Sequence, residues 1–158
     1  MIPRTLRLRA TVLAAALALP LAAAACSNSP SGPGQAEKAA LLQARSKWDA
    51  LGARSYTFVV GPRCYCGVMQ IRTTVVDGVV TERLYVLDGS PVPANLFRNI
   101  ETVDAMLAHI EKAIDQRVAE LDATYDERGV PVDVQIDYSE NAIDEEFGWV
   151  VVSLTLQP

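Results

Sequence analysis

The stretch VMQIRTTVV (68–76), DG (77–78), VVTERLYVL (79–87) decides the fold. Two runs rich in β-branched residues flank Asp77-Gly78. Asp-Gly is favoured in a two-residue type I′ turn, because both central residues need positive φ. A hairpin is expected here, and its turn sets the register. Val75 should face Val80, Ile71 should face Leu84 and Met69 should face Val86 on one side. Thr74 with Thr81, and Arg72 with Arg83, should share the other. Two arginines directly across a ladder repel. Arg72 and Arg83 therefore need carboxylates from a neighbour, or an anion contact.

The pattern continues on both sides of the hairpin. Ser55 to Val60 alternates, with Tyr56, Phe58 and Val60 on one face, as a strand does. Ahead of it, Leu41, Ala44, Trp48 and Leu51 form one helical stripe over 36–51, and Gly52 is placed to end that helix. Beyond the hairpin, 88–99 holds Gly89, Pro91 and Pro93 and reads as a loop. Thr102 is a candidate N-cap for a helix to about Asp115. Val103, Met106, Leu107, Ile110 and Ile114 make its apolar face, with His109 off it as a surface or boundary residue. Segment 116–125 fits either a continued helix or a strand. The alternation of Ala119, Leu121, Ala123 and Tyr125 favours the strand. A long alternating run follows, with Val130, Val132, Val134, Ile136 and Tyr138 facing one way. Phe147 to Leu156 is apolar on both sides and reads as an interior strand. The expected fold is α+β: an antiparallel sheet of about six strands with two helices on one face, in the order αβββαβββ. The order is a weak internal repeat of pattern, not of residues.

With 158 residues, half of them hydrophobic, the chain suits one modest domain with a genuine core. Residues 1–25 are set apart from it. Arg4, Arg7 and Arg9 precede an apolar run from Ala10 to Leu19, and Pro20 and a small-residue run lead to Cys26. This reads as a signal peptide, too short to span a membrane. Small residues directly before a cysteine resemble the lipobox of bacterial lipoproteins. In those proteins the thiol is acylated, with palmitate for example, and becomes the new N-terminus. Ala23 stands where leucine is usual. Ser27 at the next position, rather than aspartate, resembles the signal for the outer membrane, if the host has one. Residues 26–35 then form the lipidated cysteine and a flexible tether, spanning roughly 15–18 Å. Residues 36–158 form the single domain.

Removing residues 1–25, which carry three arginines and no acid, takes the formal charge from −5 to −8. Such a domain is repelled by nucleic acid and by anionic membrane surfaces. The expected membrane partner is reached through the lipid alone, on the extracytoplasmic side of the envelope.

Cys64-Tyr-Cys66 is the most informative chemical motif. With Cys26 acylated, the pair is even in an exported protein. Four readings stay open: a structural disulfide, a strained redox-active pair, a soft-metal site such as Cu(I) on two thiolates, and unbridged thiols. Arg63 adjoins the pair and would slightly favour a reactive thiolate. Asp137, Glu140, Asp144 and Glu145 crowd the last hairpin loop. Their spacing begins like a calcium loop and then fails at Ala142 and Gly148, leaving a weak metal or acidic loop. A single histidine builds no multi-histidine metal site, and no nucleophile elbow or phosphate loop is present. No cofactor and no catalytic residue is assigned.

Trp48, Tyr56-Thr-Phe58, Cys64-x-Cys66, the Asp77-Gly78 hairpin, the helix near 102, Tyr125-Asp126…Gly129-x-Pro131, Asp137 and Asp144-Glu145 occur in that order. This resembles the bacterial exported and lipoprotein family named domain of unknown function 6174, over about residues 37–156. The resemblance implies location and boundaries, and no catalytic residue. The first functional reading is a lipid-anchored, non-enzymatic binding or envelope-accessory module with an unidentified envelope protein or small ligand as partner. The alternatives are a thiol-redox or Cu(I)-handling protein using Cys64 and Cys66, and an exported protein inhibitor.

Overall fold

The structure, a computed structural model, describes residues 34–64, 69–142 and 145–157. Signal-peptide and lipid-site readings on 1–33, with those on Cys66 and Asp144, lie outside the described residues. The elements run α1 (Gln35–Leu51), β1 (Tyr56–Arg63), β2 (Ile71–Val76), β3 (Val79–Tyr85), a short 3-10 turn (Arg98–Ile100), α2 (Val103–Gln116), β4 (Glu120–Tyr125), β5 (Pro131–Asp137) and β6 (Phe147–Leu156). The α+β class and the αβββαβββ order are those expected.

All six strands form one antiparallel sheet in the order β3-β2-β1-β6-β5-β4. β6 is interior, as its two apolar sides required. The pattern repeat, however, is not a repeat in space. Its first half places its leading strand, β1, at the sheet centre, while its second half places its leading strand, β4, at the edge. β6 takes the central position because its ten residues pair with both β1 and β5.

One face of the sheet carries the core. Tyr56, Phe58, Val60, Ile71, Val75, Val134, Ile136 and Trp149 are buried there with Leu41, Ala44 and Trp48 of α1 and Val103, Met106, Leu107 and Ile110 of α2. Trp48 stands edge-on to Tyr56, with centroids 5.3 Å apart, a favoured aromatic geometry. Leu51, assigned to the buried stripe, is instead exposed at the last turn of α1. Gly52 closes that helix in the left-handed conformation expected of it. Among the described residues no element covers the other face of the sheet, and Val76 and Val152 are exposed.

The start of α2 shows how sequence and packing combine. Thr102 Oγ1 accepts a hydrogen bond from the Ala105 N–H at 3.0 Å, the N-cap role expected of threonine. Tyr56 Oη accepts from the Val103 N–H at 3.2 Å, so a second orphan donor of the first turn is met from the sheet. Burial pushes the Tyr56 hydroxyl pKa up to about 12. Arg117 takes a left-handed conformation and ends α2. The ambiguous segment then resolves as the strand β4, with Leu121, Ala123 and Tyr125 against the core.

The hairpin departs from its expected register. Asp77 and Gly78 both have positive φ, as a type I′ turn needs. Val75 faces Val80 as expected, but an irregularity between Thr74 and Val75 shifts the pairing by one residue. Thr74 pairs with Glu82, Thr73 with Arg83, Arg72 with Leu84, and Ile71 with Tyr85. Arg72 and Arg83 are therefore not opposite one another. A single extra residue sends every later side chain of the strand to the other face. Arg72 is exposed on the face away from the helices, while Arg83 turns toward the core side, its side chain 8% exposed. A second shift, between Thr124 and Tyr125, pairs Tyr125 with Pro131 and breaks the expected alternation at Val132.

Candidate functional site at one end of the sheet

Arg63, the last residue of β1, pairs with Gly148 near the start of β6. Cys64 therefore leaves the sheet beside the connection from β5 to β6, which carries the acidic loop. The two segments with chemical character in the sequence, Cys64 and the acidic loop that begins at Asp137, lie 73 residues apart along the chain and come to the same end of the sheet. Cys64 is not a free thiol. Its fellow cysteines, Cys26 and Cys66, both lie outside the described residues.

Arg63, which adjoins Cys64 along the chain, has its charge engaged elsewhere. Its guanidinium reaches across β6 and makes a bidentate ion pair with Asp133 of β5, the Nη2 contact being 3.1 Å. Both partners are about half exposed, so the pair contributes little stability, on the order of 0–1 kcal/mol. Its effect is to neutralise the cation that adjoins Cys64 in sequence.

In the acidic loop, Asp137 Oδ1 accepts from the Ser139 N–H at 2.9 Å, so this carboxylate closes a local turn. Glu140 is exposed, and Glu145 is half-buried with its Oε1 atom buried and unpartnered. Among the described residues, no three His, Cys, Asp or Glu side chains converge as a metal site would need.

Beside the loop lies a feature the sequence reading missed. His109 Nε2 and Tyr138 Oη are hydrogen-bonded at 2.9 Å. The imidazole stands edge-on to Phe147 at 5.7 Å and tilted against Trp149 at 6.0 Å. Phe97 stacks on Phe147 at 6.5 Å. The helical stripe correctly placed His109 at a boundary, but the partner that occupies the boundary comes from β5's far end. Helical periodicity carries no signal for such a contact.

Burial, reinforced by the Lys112 ammonium, lowers the His109 pKa below the ordinary imidazole value. The folded state disfavours the cation, while the unfolded chain takes up the proton near pH 6.5. Stability from this group is complete above about pH 6.5 and is lost as pH falls from there through the depressed folded value. His109→Gln keeps a hydrogen-bonding group toward Tyr138 and removes the titration. Urea midpoints taken between about pH 7.5 and pH 5.5 should fall more steeply for the parent than for His109→Gln. Equal slopes would show that the imidazole is no less basic in the fold than in the unfolded chain.

A concavity of about 690 Å³ separates the first turn of α1 from the last turn of α2, between Gln35 and Lys38 on one wall and Ile114 and Arg117 on the other. No helix among the described residues is long and apolar enough to cross a membrane.

Among the described residues these features define a two-layer α+β domain: two helices on one face of a six-stranded antiparallel sheet. The chain belongs to the family of unknown function DUF6174, whose model matches residues 40–156. No curated protein matches it, and no solved structure does.

Proposed function

We propose that the protein is an exported bacterial lipoprotein, acylated at Cys26 and held on the extracytoplasmic side of the membrane. Its domain acts there as a non-enzymatic binding or envelope-accessory module. The observation that carries the location is the order of arginines, apolar run and small residues directly ahead of Cys26. The sheet face that no described element covers, with Val76 and Val152 exposed at 40% and 55%, supports the binding role. An acidic domain on a short tether fits attachment by acyl chain and not by surface charge.

The test is metabolic labelling of the full chain in a bacterium with an alkyne analogue of palmitate. The parent should label, lose residues 1–25 and sediment with membranes. Cys26→Ser should do none of these through acylation. An unlabelled parent that retains residues 1–25 would sink the reading.

A second reading is that Cys64 and Cys66 are bridged and redox-active or, when reduced, hold Cu(I). The bonded state of Cys64 supports a bridge, and the one-residue spacing makes Cys66 the natural partner in an oxidising compartment. Intact mass before and after alkylation without reductant decides it. A mass two protons light with no alkylation shows the bridge, whose reduction potential then tests redox activity; two reactive thiols exclude the bridge and favour Cu(I) handling.

A further inference from the structure

We propose that Arg83 and Thr73 form a buried site for a small carboxylate anion, between the β2–β3 ladder and the segment that leads into α2. The two residues are direct partners across the ladder, which places their side chains on one face with Cβ atoms about 4.5–5.5 Å apart. The Arg83 side chain is 8% exposed, and Thr73 is fully buried. Arg83 Nη2 donates to the Phe97 carbonyl at 3.2 Å. Its Nε and Nη1 have no hydrogen-bond partner, and neither does Thr73 Oγ1. Glu101 Oε2 approaches Nη1 only to 3.8 Å, beyond hydrogen-bond distance. Unmet buried donors are costly, above all on a charged group.

The chemistry of these atoms selects the occupant. Guanidinium N–H groups only donate, and a threonine hydroxyl can donate as well. Their complement is a group that only accepts, with more than one oxygen. The charge agrees. Arg83 and Arg98 both lie against the single Glu101 carboxylate, with Arg98 Nε 3.9 Å from Glu101 Oε1. One positive charge is left over, which a monoanion balances. Burial, partly countered by Glu101, lowers the Arg83 pKa from its ordinary value, and a bound anion would oppose that. The site is independent of lipidation and of the cysteines.

Sodium acetate exchanged for sodium chloride is the first probe, with the full chain carrying Cys26→Ser and NMR signals of Arg83 Nε–H and the Thr73 amide as readout. A saturable shift is expected by about 0.1 M, where a millimolar Kd is saturated. Thr73→Val removes the unmet hydroxyl at nearly constant shape, so it should fold at least as stably and weaken the acetate Kd about tenfold, or 1.4 kcal/mol. The absence of a saturable shift, or an unchanged Kd in Thr73→Val, overturns the site. Inorganic phosphate binding in place of acetate overturns the monoanion. Tighter binding of N-acetylglutamate amide than of acetate overturns the small ion in favour of a partner protein's side chain.

Discussion

Gly129→Ala is expected to remove a large fraction of the domain's stability, about 3–5 kcal/mol, which lies in the exceptional range for a single methyl group. Two costs combine. Gly129 has φ +86, a region that costs an L-residue about 1–2 kcal/mol. A Cβ there would also overlap the carbonyl oxygen of Ala44. The obstructing atoms are α1 backbone, so relief requires moving a helix and not a side chain. The turn itself resists displacement. Asp126 Oδ1 accepts from the Arg128 and Val130 N–H groups, each at 2.9 Å, and Arg128 Nη1 donates to the Leu154 carbonyl at 3.2 Å. Gly52 supplies the control, being left-handed at φ +63 with nothing near its absent Cβ. Gly52→Ala should cost only the conformational part, about 1 kcal/mol. Urea unfolding with an unchanged m-value measures both. Equal losses in the two variants would show that the turn and α1 do not touch.

Trp149→Ala should cost a similar amount, about 3–5 kcal/mol. Trp149 is fully buried in the interior strand β6, and its Nε1–H donates to the Pro131 carbonyl at 3.1 Å. Truncation leaves a cavity among β1, β5 and α2 and strips that carbonyl of its donor. Trp149→Phe separates the terms, because it keeps most of the volume and loses the hydrogen bond; about 1–2 kcal/mol is expected. The indole also forms one wall of the His109 environment. In Trp149→Ala the imidazole should be better solvated, and its pKa should rise toward the ordinary value, as NMR titration would read. A loss below about 2 kcal/mol, or an unmoved His109 titration, would mean that this wall is not rigid.

Much of the candidate site was legible in outline and not in contact. Cys64 and the acidic loop announce themselves by residue type, yet their adjacency follows from the β1–β6 pairing of Arg63 with Gly148. Arg63 looked like a neighbour of the thiols along the chain, whereas its charge lies on Asp133, two strands away. Asp126 closes the turn before β5 through its carboxylate, but the reason for glycine at 129 is the approach of α1. His109 was placed at a boundary, and Tyr138 could not be named as its partner. The arginine pair failed for a sharper reason. An Asp-Gly turn dictates the nearest pairs, Val75 with Val80 among them, and one extra residue beyond it reverses the facing of all that follow.

What the sequence by itself determined is the set of elements and their order. Helical stripes, strand alternation, the Asp-Gly turn, the Thr102 cap and the glycine at position 52 act between residues a few positions apart, so a local reading captures them. Tertiary structure alone decided the strand order β3-β2-β1-β6-β5-β4, the choice of β1 and β5 as the neighbours of the interior strand β6, and the face to which Arg83 turns. These depend on contacts such as Tyr56 with Leu156 and Thr57 with Gln157, each pair one hundred residues apart. Their free energy exists only when both strands are in place on the core, and no stretch of neighbouring residues encodes it.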